Sequence, residues 1–236
     1  MTKLSVNINK IATLRNARGG STPDVIKAAL DCQNFGADGI TVHPRPDSRH
    51  ITKDDVYNLK PIIFKEFNIE GYPSEDFIKM VLDIVPDQVT LVPDKPNVIT
   101  SNAGWDTVKY LDFLKERISI FKSKGIRTSI FLDPNIDLVD AAKLCGTDRI
   151  ELYTQFYAEN YFIDKNHAIK SYSQAATRAS EIGLEINAGH DLNAQNLQFF
   201  SQQIPNLSEV SIGHALISDA LYLGLENSIQ VYKRQL

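Results

Sequence analysis

Residues 183–190 read GLEINAGH, a glycine followed by a short, largely apolar run that ends in Gly-His. A glycine suits the left-handed position that closes many helices, and the run after it has the length of a buried strand. The same order of helix stop and strand recurs after Gly36, Gly125 and Gly146. The sequence therefore predicts repeated units in which each helix ends shortly before the next strand begins.

Eight segments have the composition of short strands, and several are almost continuously apolar, as parallel strands buried on both faces require. They are residues 4–9, 39–43, 67–71, 88–92, 127–133, 149–153, 184–189 and 209–213. Eight strand–helix units in 236 residues predict an α/β fold, a closed (β/α)8 TIM barrel that forms one domain over residues 1–236. An open, doubly wound sheet is the competing arrangement.

The helices between the strands are predicted from apolar spacing and capping signals. One helical face is marked by four apolar residues, Leu111, Leu114, Ile118 and Phe121. Thr22 offers an N-cap, followed by Pro23 at the first helical position and by Asp24. Thr52 and Asp55 have the spacing of a capping box, with Asp in place of the usual Glu or Gln.

The composition excludes several classes of protein. With 43% hydrophobic and 23% charged residues, the chain is globular rather than disordered. A net charge of −4 and a pI of about 5.7 give no basic footprint for nucleic acid. Cys32 and Cys145 fall in predicted helices and fit free thiols better than a disulfide framework. Because the first ten residues lack an apolar signal core and no long apolar run follows, we expect a cytoplasmic protein without a membrane span.

Reactive side chains collect at one end of the predicted strands. His43, His190 and His214 lie at or just after the C-terminal ends of strands two, seven and eight, and Glu70 ends strand three. In a parallel barrel these ends meet on the face that carries the active site. One such histidine alone is more often a packing residue, but the convergence of all four favours catalysis. Three further polar residues lie within or after the predicted strands: Asn7 in strand one, Glu151 in strand six and His50 after strand two.

The same face carries signals for anion binding. Gly213-His214 joins the last strand to a helical segment at residues 215–235, and such a junction presents backbone N–H groups to an anion. Four arginines follow the first two strands, Arg15, Arg18, Arg45 and Arg49, which indicates more than one anionic group. An ordinary tight turn and a solvated rim are the alternatives.

Metal binding is not indicated, because the sequence has neither an HExxH motif nor a His-x-His pair and its acids are not clustered at ligand spacing. Lys10, just past strand one, is the only candidate for a lysine that forms a Schiff base.

Six segments together resemble the pyridoxine 5′-phosphate synthase family, and the resemblance spans the whole chain. They are VNINKIATLRNARGG from Val6, GADGITVHPRPDSRHIT from Gly36, NIE ending at Glu70, LVPDK from Leu91, INAGH ending at His190 and SIGHALI from Ser211. The resemblance implies a (β/α)8 barrel with extra helices, assembled as a homo-octamer built from dimers. It also implies condensation of 1-deoxy-D-xylulose 5-phosphate with 3-amino-2-oxopropyl phosphate to pyridoxine 5′-phosphate, phosphate and water. No metal or organic cofactor is implied.

The resemblance further implies roles for individual residues. His43 and Glu70 match the family's proton acceptors, and His190 matches its proton donor. The positions that hold the amino-oxopropyl phosphate are matched by Asn7, Arg18, Asp191, Gly213 and His214. The positions that hold the deoxyxylulose phosphate are matched by Arg45, His50 and Thr100.

The sequence departs from the family's usual pattern at two places. Asn9-Lys10 stands where Asp-His is usual, at positions that contact the deoxyxylulose phosphate, and we expect Lys10 to act there as a charged donor. Asp191 stands where glycine is usual, and its carboxylate would repel a phosphate unless it points away. Two other functions stay open: another phosphosugar isomerase, epimerase or lyase on a TIM barrel, and a non-catalytic ligand-binding barrel that would not need Glu70.

Overall fold

The computed structural model describes residues 1–93 and 103–236. Eight parallel strands follow one another around a closed barrel, and the last pairs with the first. They are β1 Lys3–Asn7, β2 Gly39–Val42, β3 Glu66–Gly71, β4 Gln88–Leu91, β5 Arg127–Leu132, β6 Arg149–Leu152, β7 Glu185–Ala188 and β8 Leu207–Ile212. The predicted TIM barrel is confirmed, and the open sheet is not the fold.

Ten α-helices are present in the described part of the chain, two more than eight units need. They are α1 Asn9–Asn16, α2 Val25–Asn34, α3 Lys53–Leu59, α4 Glu75–Ile84, α5 Leu111–Lys122, α6 Ile136–Cys145, α7 Gln155–Glu181, α8 Leu197–Gln203, α9 His214–Leu223 and α10 Leu225–Lys233. Asp164 has non-helical backbone angles and divides α7 into two helical halves. None of the described helices is both long enough and apolar enough to cross a membrane.

The core lies between the barrel and the helices around it, because each helix buries one apolar face. Leu114, Ile118 and Phe121 are buried on α5, as their spacing predicts. All four predicted helix stops have positive φ angles, Gly36, Gly125, Gly146 and Gly183. This conformation suits glycine, which has no Cβ to clash, so the stop signals in the sequence are confirmed.

Three local predictions need correction. The N-cap of α2 is Asp24 rather than Thr22, because the Asp24 carboxylate accepts hydrogen bonds from two backbone N–H groups of the first turn. Strand β1 ends at Asn7, so Asn9 begins α1 instead of ending the strand. The helical segment at residues 215–235 is broken by Gly224, whose φ of 79° ends α9 before α10 begins. The capping box of Thr52 and Asp55 is confirmed.

Ion pairs lie at the N-terminal end of the barrel, where Arg149, Glu66 and Glu209 are largely buried and their partners Glu185 and Lys3 are exposed. Arg149 is 2.6 Å from Glu185 and 3.5 Å from Glu209. Glu66 pairs with Arg127 and lies 3.0 Å from Lys3. Because a buried charge is costly unless it is paired, these contacts compensate the charges of Arg149, Glu66 and Glu209 at the start of the strands.

Candidate active site

Asn7, His43 and Glu70 meet at the C-terminal ends of the first three strands. The parallel register sets Val42 opposite Ile69, which brings the next residues, His43 and Glu70, to the same level. His43 Nδ1 lies 3.9 Å from Glu70 Oε2, and both side chains are largely buried. Asn7 Nδ2 donates to the same carboxylate oxygen over 3.4 Å. Two of the four residues predicted to converge, His43 and Glu70, therefore lie side by side.

The environment of His43 keeps its imidazole neutral. Burial and then the charge of Arg45 hold the pKa of His43 well below its ordinary value, with smaller contributions from His50 and Arg49. A neutral imidazole beside a carboxylate can accept a proton, and the carboxylate then stabilises the imidazolium.

His50 packs against His43, with ring centroids 6.1 Å apart. Burial, followed by the charges of Arg45 and Lys10, lowers the pKa of His50 to about 4. Its Nδ1 accepts a hydrogen bond from the backbone N–H of Ile51 over 2.9 Å. The neutral ring therefore carries its proton on Nε2, where it can donate to a ligand.

Glu151 is a buried carboxyl group on β6. The charges of Glu70 and His190 both act on it. Burial and the charge of Glu70 raise its pKa well above the ordinary value, while His190 opposes this shift. Within the described residues, Glu151 Oε2 is buried without a hydrogen-bond partner. Two neighbouring carboxylates resist ionising together, so Glu151 holds its proton at neutral pH and can donate it.

His190 lies just after β7, and its ring is flanked by two aromatic side chains. The centroid of His190 is 5.8 Å from that of Tyr153 and 6.4 Å from that of Phe131. His190 Nδ1 is 3.0 Å from Asp191 Oδ2. A Cβ on Gly189 would stand 1.9 Å from the Ser211 carbonyl oxygen, so only glycine lets β7 lie this close to β8.

The anion-binding candidates lie on two sides of the mouth. Gly213 caps α9, whose first residue is the exposed His214. A Cβ on Gly213 would come within 3.0 Å of Asn7, so this helix start lies directly beside Asn7. Arg45 is buried near the two histidines that follow β2. The helix N-terminus and the arginine therefore provide positive potential at two separate places.

Three predicted binding residues make hydrogen bonds within the protein. Arg15 lies in α1 and makes two hydrogen bonds to the Asp55 carboxylate, at 2.6 and 2.8 Å, so it holds α1 to α3. Asn9 uses its side-chain oxygen to accept from the backbone N–H of His43 over 2.9 Å. The backbone N–H of Asp191 donates to Thr154 Oγ1 over 3.2 Å.

The other predicted residues lie toward the rim or outside the described chain. Arg18 is exposed after α1, and Lys10 is exposed at the start of that helix. Arg49 pairs with Asp47 at 2.5 Å. Thr100 lies outside the described residues.

Two neighbours of His190 were missed by sequence reasoning. Tyr153 and Phe131 lie at the C-terminal ends of predicted strands, which was the available signal, but an aromatic residue in an apolar run is usually a core residue. Tyr172, on the second half of α7, donates its hydroxyl to the Tyr153 carbonyl oxygen over 2.9 Å. The position of Tyr153 beside His190 is therefore fixed from the helix layer.

Comparison with solved structures shows the fold. The chain matches 3-keto-L-gulonate-6-phosphate decarboxylase from Vibrio cholerae with a TM-score of 0.69 and 12% identity, over 99% of this chain and 96% of that one. It matches thiamine phosphate pyrophosphorylase from Pyrococcus furiosus with a TM-score of 0.65 and 12% identity, over 99% and 94% of the two chains. Likeness at such low identity concerns the barrel alone.

Comparison of sequences is more specific. A relative from Cytophaga hutchinsonii named pyridoxine 5′-phosphate synthase is 61% identical over 100% of this chain and 99% of its own. Relatives of the same name from Bacteroides fragilis and Flavobacterium johnsoniae are 60% and 59% identical, covering at least 98% of either chain. The family model described as pyridoxal phosphate biosynthesis protein PdxJ matches residues 4–236. The chain belongs to the PdxJ family of pyridoxal phosphate biosynthesis proteins.

Proposed function

We propose that this chain is an enzyme of vitamin B6 biosynthesis that condenses 1-deoxy-D-xylulose 5-phosphate with 3-amino-2-oxopropyl phosphate. The products are pyridoxine 5′-phosphate, inorganic phosphate and water. The observation that carries the proposal is the identity of about 60%, over essentially the full length, with three relatives named for this activity. The charge states at the barrel mouth support the individual roles proposed below.

The reaction needs several positioned acids and bases. An amine condenses with a ketone, protons move between carbon atoms, and water and phosphate leave as the ring closes. Each positioned acid or base contributes roughly 10²–10⁴-fold to the rate. The product keeps its phosphate beside the carbon that was the ketone of the amino substrate. The phosphate that leaves is therefore the one on deoxyxylulose phosphate.

We assign proton removal to His43 and Glu70. Burial keeps His43 neutral, so its ring can accept a proton at neutral pH. Glu70, 3.9 Å from that ring, stabilises the resulting imidazolium and can accept a proton itself. The Asn7 amide holds the Glu70 carboxylate in place through its 3.4 Å hydrogen bond.

We assign proton donation to His190 and Glu151. Loss of water requires a proton on the departing hydroxyl group, and an acid that stays protonated at neutral pH can supply it. The raised pKa of Glu151, caused first by burial and then by the charge of Glu70, keeps that carboxyl group protonated. His190, just after the neighbouring strand β7, is the second proton donor, and its charge acts on Glu151.

We assign the two phosphates to separate parts of the mouth. The N-terminus of α9 at Gly213 and His214, beside Asn7, suits the phosphate of the amino substrate, with the exposed Arg18 as a further contact. Arg45, the Nε2–H of His50 and the exposed Lys10 suit the phosphate of deoxyxylulose phosphate, with Thr100 as a further contact. Two dianions repel each other, so separate cationic sites allow both to bind.

Assembly and location are part of the same proposal. Several large apolar side chains on α7 and α9 are more than 70% exposed: Phe162, Ile163, Leu221 and Tyr222. Surfaces of this kind commonly lie in contacts between subunits, which supports a homo-oligomer, and we propose a homo-octamer built from dimers. Two buried free cysteines, Cys32 and Cys145, suit a reducing compartment such as the cytoplasm. Native mass spectrometry tests the assembly.

The activity is tested by incubating the purified chain with both substrates and following product fluorescence together with phosphate release. We expect one phosphate for each pyridoxine 5′-phosphate formed, and no product when either substrate is omitted. Tight binding of both substrates without turnover would favour a ligand-binding barrel instead. Turnover of deoxyxylulose phosphate alone would favour an isomerase or lyase.

A further inference from the structure

The side chain at position 191 faces the proposed proton donor. Asp191 Oδ2 lies 3.0 Å from Nδ1 of His190, a hydrogen-bonding distance. A glycine at this position would have no side chain to make such a contact. The carboxylate is thus a feature of this chain that the roles proposed above do not use.

The backbone around Asp191 is anchored on three sides. Its N–H donates to Thr154 Oγ1 over 3.2 Å, and its carbonyl oxygen accepts from Asn196 Nδ2 at 3.4 Å. The N–H of Leu192 donates to the carbonyl oxygen of Gly189 over 2.7 Å, which closes a tight turn around both residues. These hydrogen bonds fix the backbone of Asp191, and the turn places its carboxylate next to the imidazole of His190.

The other groups around His190 come from two neighbouring strands. Glu151 faces it from β6, and the rings of Tyr153 and Phe131 contact it from the ends of β6 and β5. Glu151 and Tyr153 are the titratable groups of these neighbours, and Glu151 is held protonated by its burial. Asp191 is accordingly the neighbouring group suited to pair with the imidazolium as a carboxylate.

A carboxylate on one ring nitrogen decides what the other nitrogen does. It accepts a hydrogen bond from Nδ1–H, favours the tautomer that carries the proton on Nδ1, and stabilises the imidazolium. The second nitrogen, Nε2, is then oriented to exchange a proton with a bound molecule. This pairing also balances the Asp191 charge, which would otherwise oppose a phosphorylated substrate.

We propose that Asp191 is a positioning residue that holds Nδ1–H of His190 on its carboxylate and presents Nε2 as the proton donor to the bound substrate. The inference rests on the proposed function, in which His190 is the donor. It replaces the phosphate contact that the resemblance implies for position 191, because the backbone N–H there is already donated to Thr154.

The kinetic test compares Asp191→Gly and Asp191→Asn with the control Asp137→Asn, which removes one charge from the exposed first turn of α6 on the same face. We expect Asp191→Gly to lower kcat about tenfold. The high-pH limb of its kcat profile should move to lower pH, because the imidazolium loses its partner. KM for both substrates should change less than threefold. Asp191→Asn, which keeps an acceptor oxygen without charge, should fall between, and the control should match the wild type.

A second readout uses the resting enzyme without substrates. Histidine labelled with ¹⁵N, observed by solid-state NMR of the sedimented protein, reports the tautomer of each of the five rings whatever the size of the assembly. The His190 signal is identified by its loss in His190→Asn. At a pH where the ring is neutral, we expect the Nδ1–H tautomer in the wild type and a shift toward Nε2–H in Asp191→Gly. At lower pH the ring also takes up a proton on Nε2, and this imidazolium is the form that donates.

The two readouts separate failure of this inference from failure of the proposed function. An Nε2–H tautomer in the wild type, or the same tautomer and titration in Asp191→Gly, would overturn the positioning role even in an active enzyme. A raised KM for the amino substrate with an unshifted pH profile would return Asp191 to phosphate binding. Absence of product with the wild type would overturn the proposed function and leave the NMR result standing.

Discussion

The backbone N–H of His43 donates to Oδ1 of Asn9 over 2.9 Å, which ties the first residue of α1 to the end of β2. An aspartate at position 9 would offer an oxygen at the same place. We therefore expect Asn9→Asp to keep most of the activity. Asn9→Ala should lower kcat several-fold and the free energy of unfolding by about 1 kcal/mol, since one hydrogen bond is lost. Steady-state kinetics and urea unfolding measure the two effects, and a change confined to KM would show that Asn9 binds substrate instead.

Glu70→Gln tests the proposed base. The amide preserves shape and hydrogen bonding but cannot accept the proton, so kcat should fall at least ~100-fold, about 3 kcal/mol at the barrier. Substrate affinity, measured by isothermal titration, should change little. Glu75→Gln, an exposed substitution in the first turn of α4, is the matched control. Turnover close to that of the wild type would remove Glu70 from the mechanism.

Glu151→Gln tests the buried acid through its effect on stability. A carboxyl group whose pKa is raised in the folded protein binds more protons there than in the unfolded chain. Stability is therefore lost as the pH rises from the ordinary carboxyl range toward the folded-state pKa. Gln cannot ionise, so Glu151→Gln should raise Tm relative to the wild type at pH 8–9 and by much less near pH 5, while kcat falls. An equal change in Tm at both pH values would contradict the raised pKa.

Lys10→Met tests the proposed role of the Lys10 ammonium in binding the phosphate of deoxyxylulose phosphate. The exposed ammonium lowers the pKa of His50, after burial and Arg45, so its field reaches the proposed phosphate site. We expect KM for deoxyxylulose phosphate to rise several-fold, and the increase to shrink at high salt because exposed charges are screened. Lys10→Arg should retain most of the affinity. Borohydride with deoxyxylulose phosphate should leave Lys10 unmodified, and a reduced adduct found by mass spectrometry would restore the Schiff-base alternative.

Arg15→Met tests a structural role. Arg15 makes two short hydrogen bonds to Asp55, and both side chains are largely buried. Burial alone would raise the pKa of Asp55, but the Arg15 hydrogen bond lowers it overall, so this stability is present above the ordinary carboxyl pKa and is lost in acid. We expect a loss of about 2 kcal/mol at pH 7 that diminishes toward pH 3, measured by urea unfolding. An unchanged stability with a higher KM would place Arg15 in substrate binding.

The predictable part of this molecule is the part set by local pattern. The apolar runs and stop glycines predict the ends of the strands to within two residues. His43 and Glu70 follow from the same pattern, because they stand at the C-terminal ends of neighbouring parallel strands. The hydrogen-bond partners of the side chains could not be predicted in this way, because distant segments become neighbours only when the barrel closes. The bond from Arg15 to Asp55 spans 40 positions, and the bond from Asn9 to His43 spans 34. No spacing rule within either segment identifies such a partner.

Gly189 sets a limit on how this barrel mouth can be redesigned. Its missing Cβ lets β7 lie against the Ser211 carbonyl, so the distance from His190 to the helix start at Gly213 depends on the absence of one carbon atom. An alanine at position 189 would push β7 away from β8. His190, the proposed proton donor, would then lie farther from the proposed anion site at Gly213, although neither residue is changed. Libraries that vary the mouth to accept new substrates should hold this glycine fixed, because its replacement changes the spacing of the site rather than its chemistry.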